Sequence, residues 1–202
     1  MLFRYSCETH TRKHGPSGYI NYKTFKKWLR DEFSFRCVYC LERERWYPNG
    51  HHSFGVDHVK PKTDFRDLEC EYGNLLYACN RCNSAKGVHL LGDPTEKGLG
   101  HHLQVDEHGE IESKTVLGAL MITVLVLDSP QLVDTRRNYL AIAQLRETHP
   151  EDKDVKELYF NAFGYPLDMP NLNTAPLRKR STQKDACASC FFCTVSPSDV
   201  YI

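Results

Sequence analysis

The sequence lacks an apolar run that is long enough to span a bilayer. The best candidate, residues 116–127, is only about a dozen residues long, whereas a transmembrane helix needs roughly 18 or more. The N-terminal stretch MLFRYSCETHTRKHG also lacks the apolar segment of a secretory signal. We therefore expect a cytoplasmic protein that makes no membrane contact.

An excess of charge of one sign is also missing, because Lys plus Arg total 26 and Asp plus Glu total 26. A neutral chain has no overall field that draws it to nucleic acid, so any such binding must come from local basic patches. Residues 21–33 have apolar side chains at helical spacing, and the opposite face carries Lys23, Lys26, Lys27 and Arg30. This face either meets solvent or contacts phosphate.

Cysteine, by contrast, is abundant: the chain has nine, an odd number that cannot all pair as disulfides. In a reducing compartment, CxxC pairs are typical of metal ligands. Cys37, Cys40, Cys79 and Cys82 form two such pairs, and four thiolates supply the tetrahedral shell that Zn²⁺ prefers. A closed four-cysteine site leaves no open position for substrate, so we expect this zinc to be structural. Redox-active dithiols are the alternative.

Three further cysteines, Cys187, Cys190 and Cys193, repeat at every third position near the C-terminus. Cys7 and His10 would complete a second zinc site with them if the termini lie close together. An ordinary tail, or a surface for docking a partner, explains the same residues.

The region between the two CxxC pairs contains turn and strand signals. A Pro-Asn-Gly turn at residues 48–50 predicts a β-hairpin whose second strand ends at Asp57-His58. A charged loop follows over residues 60–71. Residues 80–86 then suit a short helix that ends at Gly87.

The pattern changes beyond about residue 90. Alternation around an acidic His-Gly turn predicts a small hairpin over residues 101–113, and cap signals predict helices over residues 115–127, 130–148 and 151–163. Leu132, Leu140, Ile142 and Leu145 are predicted core residues. The expected organisation is a helical lead-in (1–34), a central unit (35–90), a hairpin plus helical extension (91–165) and a flexible, Pro-, Asn- and Thr-rich tail (166–202).

The motif series CVYC … VDHVKPK … YGNLLYACNRCNSAKG, within residues 35–88, resembles the zinc-clipped subgroup of the HNH endonuclease family. The resemblance implies an α+β fold with a ββα-metal core, also called a His-Me finger, followed here by a helical extension. Two positions depart from the family name, since Asn83 stands where the last His is expected and Asp57 precedes the base. Both substitutions supply oxygen ligands, which favour magnesium or manganese over zinc.

Phosphodiester hydrolysis needs an activated water and charge neutralisation at the phosphate. His58 is the candidate base, since imidazole titrates near neutral pH. Asp57 and Asn83 offer the hard oxygens that Mg²⁺ or Mn²⁺ prefers. The resemblance implies the same roles, and it assigns Asn74 to orienting the base.

Basic residues around this motif are candidate contacts to the nucleic-acid backbone. Lys86 lies one helical turn from Asn83, where its ammonium would meet a phosphate oxygen. Lys60, Lys62 and Arg81 are candidates for the same work. The pair at 136–137, two arginines, either contacts DNA or is solvent-exposed or salt-bridged.

We therefore expect a metal-dependent HNH endonuclease that hydrolyses DNA. The resemblance implies products with 5′-phosphate and 3′-hydroxyl ends. The organisation resembles nucleases of bacterial phage defence or restriction, in particular PtuB-like nucleases of Septu-type systems, which act with a partner ATPase. That resemblance implies a partner subunit, and the chain would then be inactive until the partner joins. A non-catalytic, zinc-stabilised module that binds nucleic acid or protein is the alternative. The sequence gives no prediction of oligomeric state.

Overall fold

The computed structural model describes residues 3–172, so the C-terminal cysteines and most of the predicted tail lie outside the described residues. Within that range, helices and strands alternate in the first half and helices dominate the second. In chain order they are α1 Lys26–Glu32, β1 Phe54–His58, β2 Leu75–Cys79, α2 Asn80–Lys86, β3 Leu103–Val105, β4 Ile111–Ser113, α3 Val116–Leu125, α4 Pro130–Thr148 and α5 Lys153–Phe163.

The centre of the molecule is the β1–β2–α2 unit. The two strands are antiparallel, with Phe54 opposite Cys79 and His58 opposite Leu75. All five residues of β2 are buried, and α2 follows it without a loop because the Cys79 sulfur accepts the Cys82 amide as an N-cap. Gly87, at a φ of 51°, ends α2 as predicted. The α+β class and the ββα core are therefore confirmed.

The predicted pairing of β1 is wrong, although the end of the strand at Asp57-His58 is right. Residues 44–46 and 50–53 form short 3₁₀ turns, and β1 pairs with β2 instead. The reason lies in the side chains of this stretch. The buried Glu44 carboxylate accepts a hydrogen bond from the Tyr77 hydroxyl, and Trp46 donates to the carbonyl of Ala162. These contacts hold the backbone in a path that is not a hairpin.

Only part of the basic face predicted for the first helix is formed, since Lys23 is exposed and Arg30 is buried. Residues 22–25 form a 3₁₀ turn that leads into α1, and Phe25 and Leu29 are fully buried. Arg30 is only 6% exposed and forms two hydrogen bonds to Glu44, of 3.1 and 2.6 Å. Lys26 donates to the carbonyl of His51. These two side chains therefore tie α1 to the segment before β1.

The second half confirms the predicted hairpin and the three predicted helices. β3 pairs with β4, and Thr115, Ser129 and Asp152 precede α3, α4 and α5. Aromatic stacking fastens α4 to the central unit, since Trp46 and Tyr139 have ring centroids 3.7 Å apart. Leu145 is 41% exposed, so its assignment to the core is wrong.

Arg136 has a structural position instead of the DNA contact considered above. Its side chain is 1% exposed and donates to the backbone carbonyls of Gly109 and Leu127. Arg137, its neighbour, is half-exposed and forms an ion pair with Glu110 at 2.7 Å. Arg136 thus joins α4 to the β3–β4 turn and to the end of α3.

Among residues 3–172, no helix by itself has the length and apolar character of a membrane span. α3 and α4 reach that length and composition only as a pair, and they are bent by 101°.

Replacing Arg136 with Met should lower the free energy of unfolding by about 2–4 kcal/mol, because two buried carbonyls lose their donor. Arg137→Met is the matched control and should cost less than about 1 kcal/mol, since exposed ion pairs contribute little. Urea unfolding of the two variants measures the difference. Equal destabilisation would contradict the structural position of Arg136.

Candidate active site and metal centres

Four cysteines come together at the spacing of a tetrahedral metal site. Their sulfur atoms all lie within 4.8 Å of one another, and the distance from Cys40 Sγ to Cys79 Sγ is 3.8 Å. A tetrahedron with Zn–S bonds of about 2.3 Å places its sulfurs about 3.8 Å apart. All four side chains are buried, as expected for a closed structural site: Cys37, Cys40, Cys79 and Cys82.

The first cysteine pair is held by a tight turn. Leu41 donates to the Cys37 carbonyl and adopts a left-handed φ of 62°, so the chain reverses directly after Cys40. Val38 donates to the backbone of Tyr77, which fixes the turn against β2. The second pair is the N-terminus of α2. The four-cysteine cluster therefore joins the turn, the strand and the helix.

Asp57 is linked to the first cysteine pair through Tyr39, which lies between Cys37 and Cys40. It is 4% exposed, and each carboxylate oxygen has a donor: Tyr39 Oη at 2.6 Å and Lys86 Nζ at 3.3 Å. Burial, and then the nearby charge of Asp57, raises the pKa of Tyr39, so its hydroxyl keeps the proton that it donates. A carboxylate oxygen can accept more than one bond, so Asp57 retains lone pairs for a cation.

Lys86 does not have the predicted role of a phosphate contact. Its side chain is 1% exposed, and its ammonium donates to the His58 carbonyl at 2.7 Å as well as to Asp57. A buried ammonium needs such acceptors, and it presents no surface to a substrate. Lys86 instead fastens the last turn of α2 to the end of β1.

Asn83, one helical turn before Lys86 in α2, contacts the middle of β1. Its Nδ2 donates to the Val56 carbonyl at 3.3 Å, and because a carbonyl only accepts, Oδ1 must point away from it. Among the described residues, no donor bonds to that oxygen. Gly55 allows the close approach, since a Cβ there would lie 3.3 Å from Asn83 Nδ2.

Gly55 and Asp57 project to the same face of β1, because side chains alternate along a strand. Asn83 contacts Gly55 on that face, and Asp57 meets Lys86 of the same helix. The geometry thus brings a carboxylate and a free amide oxygen to one helix–strand junction. This donor set fits a hard divalent cation such as Mg²⁺ or Mn²⁺.

His58 ends β1 with a defined tautomer. Its Nε2 lies 3.1 Å from the Glu69 carbonyl, which only accepts, so Nε2 carries the proton and Nδ1 has the free lone pair. Burial lowers the pKa of His58, which favours the neutral imidazole. The side chain is nonetheless covered: the residue is 7% exposed, and the ring of Tyr22 packs against it at 4.8 Å.

Asn74 makes no hydrogen bond to the imidazole that it is predicted to orient. Its Oδ1 accepts from the Lys60 amide at 2.8 Å, and its Nδ2 donates to the Lys60 carbonyl at 3.1 Å. Nδ2 also donates to the Leu68 carbonyl at 3.2 Å. Leu68 precedes Glu69, whose carbonyl holds His58. Asn74 therefore acts on the loop that holds the histidine.

The remaining predicted phosphate contacts separate into two groups. Lys60 and Lys62 lie on the exposed loop after β1, although Lys62 is 3.6 Å from Glu69 in an ion pair. Arg81 donates to the carbonyls of Leu125 and Val126, so its guanidinium caps α3, and its assignment to phosphate binding is wrong.

Sequence reasoning missed Tyr39, which holds Asp57. The sequence feature that could have indicated this role is the position of Tyr39 between two predicted zinc ligands, since a buried metal site buries the residues next to its ligands. Nothing in the sequence indicated that Tyr22 covers His58, because residues 22 and 58 belong to separate motifs.

Comparison with known proteins identifies the family of the central unit. Residues 37–89 match the family model described as HNH endonuclease. A curated relative, the Septu protein PtuB of Bacillus thuringiensis, is 30% identical in an alignment of length 101 that covers 46% of this chain and 37% of the relative. The chain thus spans well under half the length of that protein. The HNH resemblance is confirmed for residues 37–89, the segment that contains the four cysteines and the whole β1–β2–α2 unit.

Proposed function

We propose that this protein is an HNH-type endonuclease that hydrolyses DNA phosphodiester bonds with the help of a divalent cation. The observation that carries the proposal is that Asp57 and His58 are adjacent at the end of β1, beside the helix that carries Asn83, whose Nδ2 donates to the Val56 carbonyl. They combine two oxygen ligands with an imidazole whose Nδ1 is free to accept a proton. The match of residues 37–89 to the HNH endonuclease model supports the same reading.

In this proposal each side chain has a separate task. His58 takes a proton from the attacking water at Nδ1, because Nε2 is held by Glu69. Asp57 and Asn83 hold the cation, Mg²⁺ or Mn²⁺, which when bound supplies charge neutralisation at the scissile phosphate. Asn74 maintains the loop that orients His58, and Lys60 and Lys62 offer charge to the substrate backbone.

Tyr39 is a positioning residue in this proposal. It lies between two cysteines of the cluster and donates to Asp57 at 2.6 Å, so the zinc turn holds the carboxylate that binds the catalytic cation. Lys86 holds the same carboxylate from α2. The structural zinc thus affects catalysis through the position of Asp57, without contacting substrate.

The similarity to the Septu protein PtuB supports a biological setting. We propose that the chain acts in the cytoplasm in bacterial phage defence, together with a partner protein such as an ATPase. Its zero net charge agrees with this, because a neutral nuclease gains from a partner that brings it to DNA.

A second function, a non-catalytic nucleic-acid-binding or protein-binding module, is favoured by one observation. Asp57 and His58 are only 4% and 7% exposed, and the Lys86 ammonium already neutralises the carboxylate. Hydrolysis therefore requires Tyr22 and its loop to move away from His58. The activity of the purified protein distinguishes the two functions.

Plasmid nicking in Mg²⁺ or Mn²⁺, with and without the partner subunit, tests the first function. His58→Ala should reduce the rate by about 100-fold or more, because general-base catalysis contributes that much. His108→Ala, a histidine 72% exposed at its side chain and remote from the site, is the matched control and should cleave normally. Equal rates in His58→Ala and wild type would refute the base assignment. No cleavage under any of these conditions would favour the binding module.

Tyr39→Phe tests the positioning role, because it retains the ring and removes only the hydroxyl. The Mn²⁺ concentration for half-maximal nicking should rise about tenfold, a typical effect of losing an outer-shell partner of a metal ligand. Tyr77→Phe is the control: it removes another buried tyrosine–carboxylate bond, to Glu44, and should leave the metal requirement unchanged. Identical metal titrations for the two variants would contradict the role of Tyr39.

Metal analysis of the purified chain should find about one zinc, bound by the four-cysteine cluster. Cys37→Ser should lose the zinc and much of the folded population, because a structural zinc contributes folding free energy. Cys7→Ser, at an exposed cysteine, should retain both. Stoichiometric iron, or a Cys37→Ser protein that keeps its zinc, would overturn the assignment.

A further inference from the structure

Two arginines face each other on the side of the four-cysteine turn that lies toward α5. Arg36 and Arg43 are directly opposite in an isolated antiparallel bridge. Backbone hydrogen bonds flank the bridge on both sides, from Cys37 N to Glu42 O and from Glu44 N to Phe35 O. Side chains of such a non-hydrogen-bonded pair project to one face with Cα atoms about 4.5 Å apart, and like charges in this position repel.

Neither guanidinium has an acceptor among the described residues. Both side chains are partly buried, and Arg36 Nε is buried without a partner. Every other arginine in residues 3–172 that is not fully exposed donates to a carbonyl or a carboxylate, namely Arg12, Arg30, Arg45, Arg81, Arg136 and Arg146. Arg36 and Arg43 therefore differ from these arginines, because neither donates a hydrogen bond to a protein acceptor within the described range.

This arrangement leaves the fold with an unrelieved repulsion. Both guanidinium groups are partly buried, and their side chains project to the same face of the bridge. An arginine does not deprotonate in a protein, so the repulsion between the two charges cannot be relieved by loss of a proton. An anion between the two forks would relieve the repulsion, and phosphate matches the fork geometry.

Aromatic rings lie beside the pair. The Arg43 guanidinium is 5.9 Å from the ring of Phe163, and Arg45 lies over Phe160 at 5.3 Å. Phe160 and Tyr165 are 59% and 65% exposed, so both rings have surface on which a base can stack. Arginines next to exposed rings are typical of surfaces that bind single strands, where phosphates meet the cations and bases stack.

We propose that Arg36 and Arg43 bind backbone phosphates of a single nucleic-acid strand whose bases stack on Phe160 and Tyr165. The ligand class rests on the proposed nuclease function. The surface itself is separate from the catalytic residues, because it is formed by the bridge before β1, by α5 and by Tyr165 just after it. It supplies the local basic patch that a chain with no net charge needs in order to hold its substrate.

Fluorescence anisotropy of a labelled single-stranded oligonucleotide, without divalent cations and over a series of KCl concentrations, tests the proposal. The full chain carries His58→Ala in all samples to prevent cleavage. Adding Arg36→Gln and Arg43→Gln together should weaken binding about tenfold at low salt, and should reduce the slope of log K against log[salt] by roughly 0.7 per arginine. Arg137→Gln with Arg146→Gln removes the same charge elsewhere and should change the slope little.

Thermal unfolding distinguishes binding from a structural role. The Arg36→Gln/Arg43→Gln protein should melt at the same temperature as its parent or higher, because a repulsion has been removed. A lower melting temperature would assign the arginines to the fold and overturn the proposal. So would unchanged affinity and slope for the oligonucleotide.

Two further arms identify the source of the phosphate. If duplex binding weakens and single-strand binding does not, the assignment to a single strand is wrong. If inorganic phosphate raises the melting temperature of the parent but not of the double variant, while the oligonucleotide does not bind, the site belongs to a small anion and the proposal fails.

The nicking assay keeps this inference separate from the proposed function. If the protein cleaves DNA but the two arginine substitutions leave DNA binding unchanged, the inference is overturned and the nuclease assignment stays intact. Arginine-dependent binding by a wild-type chain that never cleaves would support the inference and refute the nuclease assignment.

Discussion

The four-cysteine cluster is the constraint on which the rest of the structure depends. It joins a turn at residues 37–40 to the strand end and helix start at residues 79–82, which are far apart in the chain. β1 pairs with β2 between these points, so the cluster also fixes the strand that carries Asp57 and His58. A single metal ion can thus hold together a core with only two short strands, which would otherwise be marginal in stability.

Buried charges in this small core occur in bonded sets. Arg30 and Tyr77 both meet the Glu44 carboxylate, while Lys86 and Tyr39 both meet Asp57. Such sets are expected, because a charge removed from water is costly unless it is paired and hydrogen-bonded. The first set joins α1 to β2, and the second joins α2 to β1. The unpaired Arg36 and Arg43 stand out against this background.

The features that sequence could predict are those encoded by local spacing. Two CxxC pairs gave the metal cluster, Gly87 gave the end of α2, and the order of motifs gave the HNH core. The pairing of β1 could not be read in this way, because the Pro-Asn-Gly turn suggested a near partner and the true partner begins at Leu75. A local turn motif does not indicate whether a strand pairs with its neighbour in the chain or with a more distant strand.

The sequence predicted which residues lie around the candidate site better than it predicted the contact that each one makes. Asp57 and His58 end β1 beside the helix that carries Asn83, and their catalytic roles stay predictions. Lys86 and Arg81 were misassigned, because a positive charge in a sequence does not reveal whether its acceptor is a phosphate or a buried carbonyl. Arg136 was left open for the same reason. Asn74 acts through a backbone loop, which only coordinates reveal.

The central claim is that Asp57 and Asn83 together bind the catalytic cation. The most direct test is a crystal of the His58→Ala protein soaked in Mn²⁺, with anomalous diffraction recorded at the manganese and zinc edges. We expect zinc signal within the four-cysteine cluster, and a separate manganese peak about 2.2 Å from an Asp57 oxygen and from Asn83 Oδ1. A manganese peak at another position, or none at saturating Mn²⁺, would contradict the account.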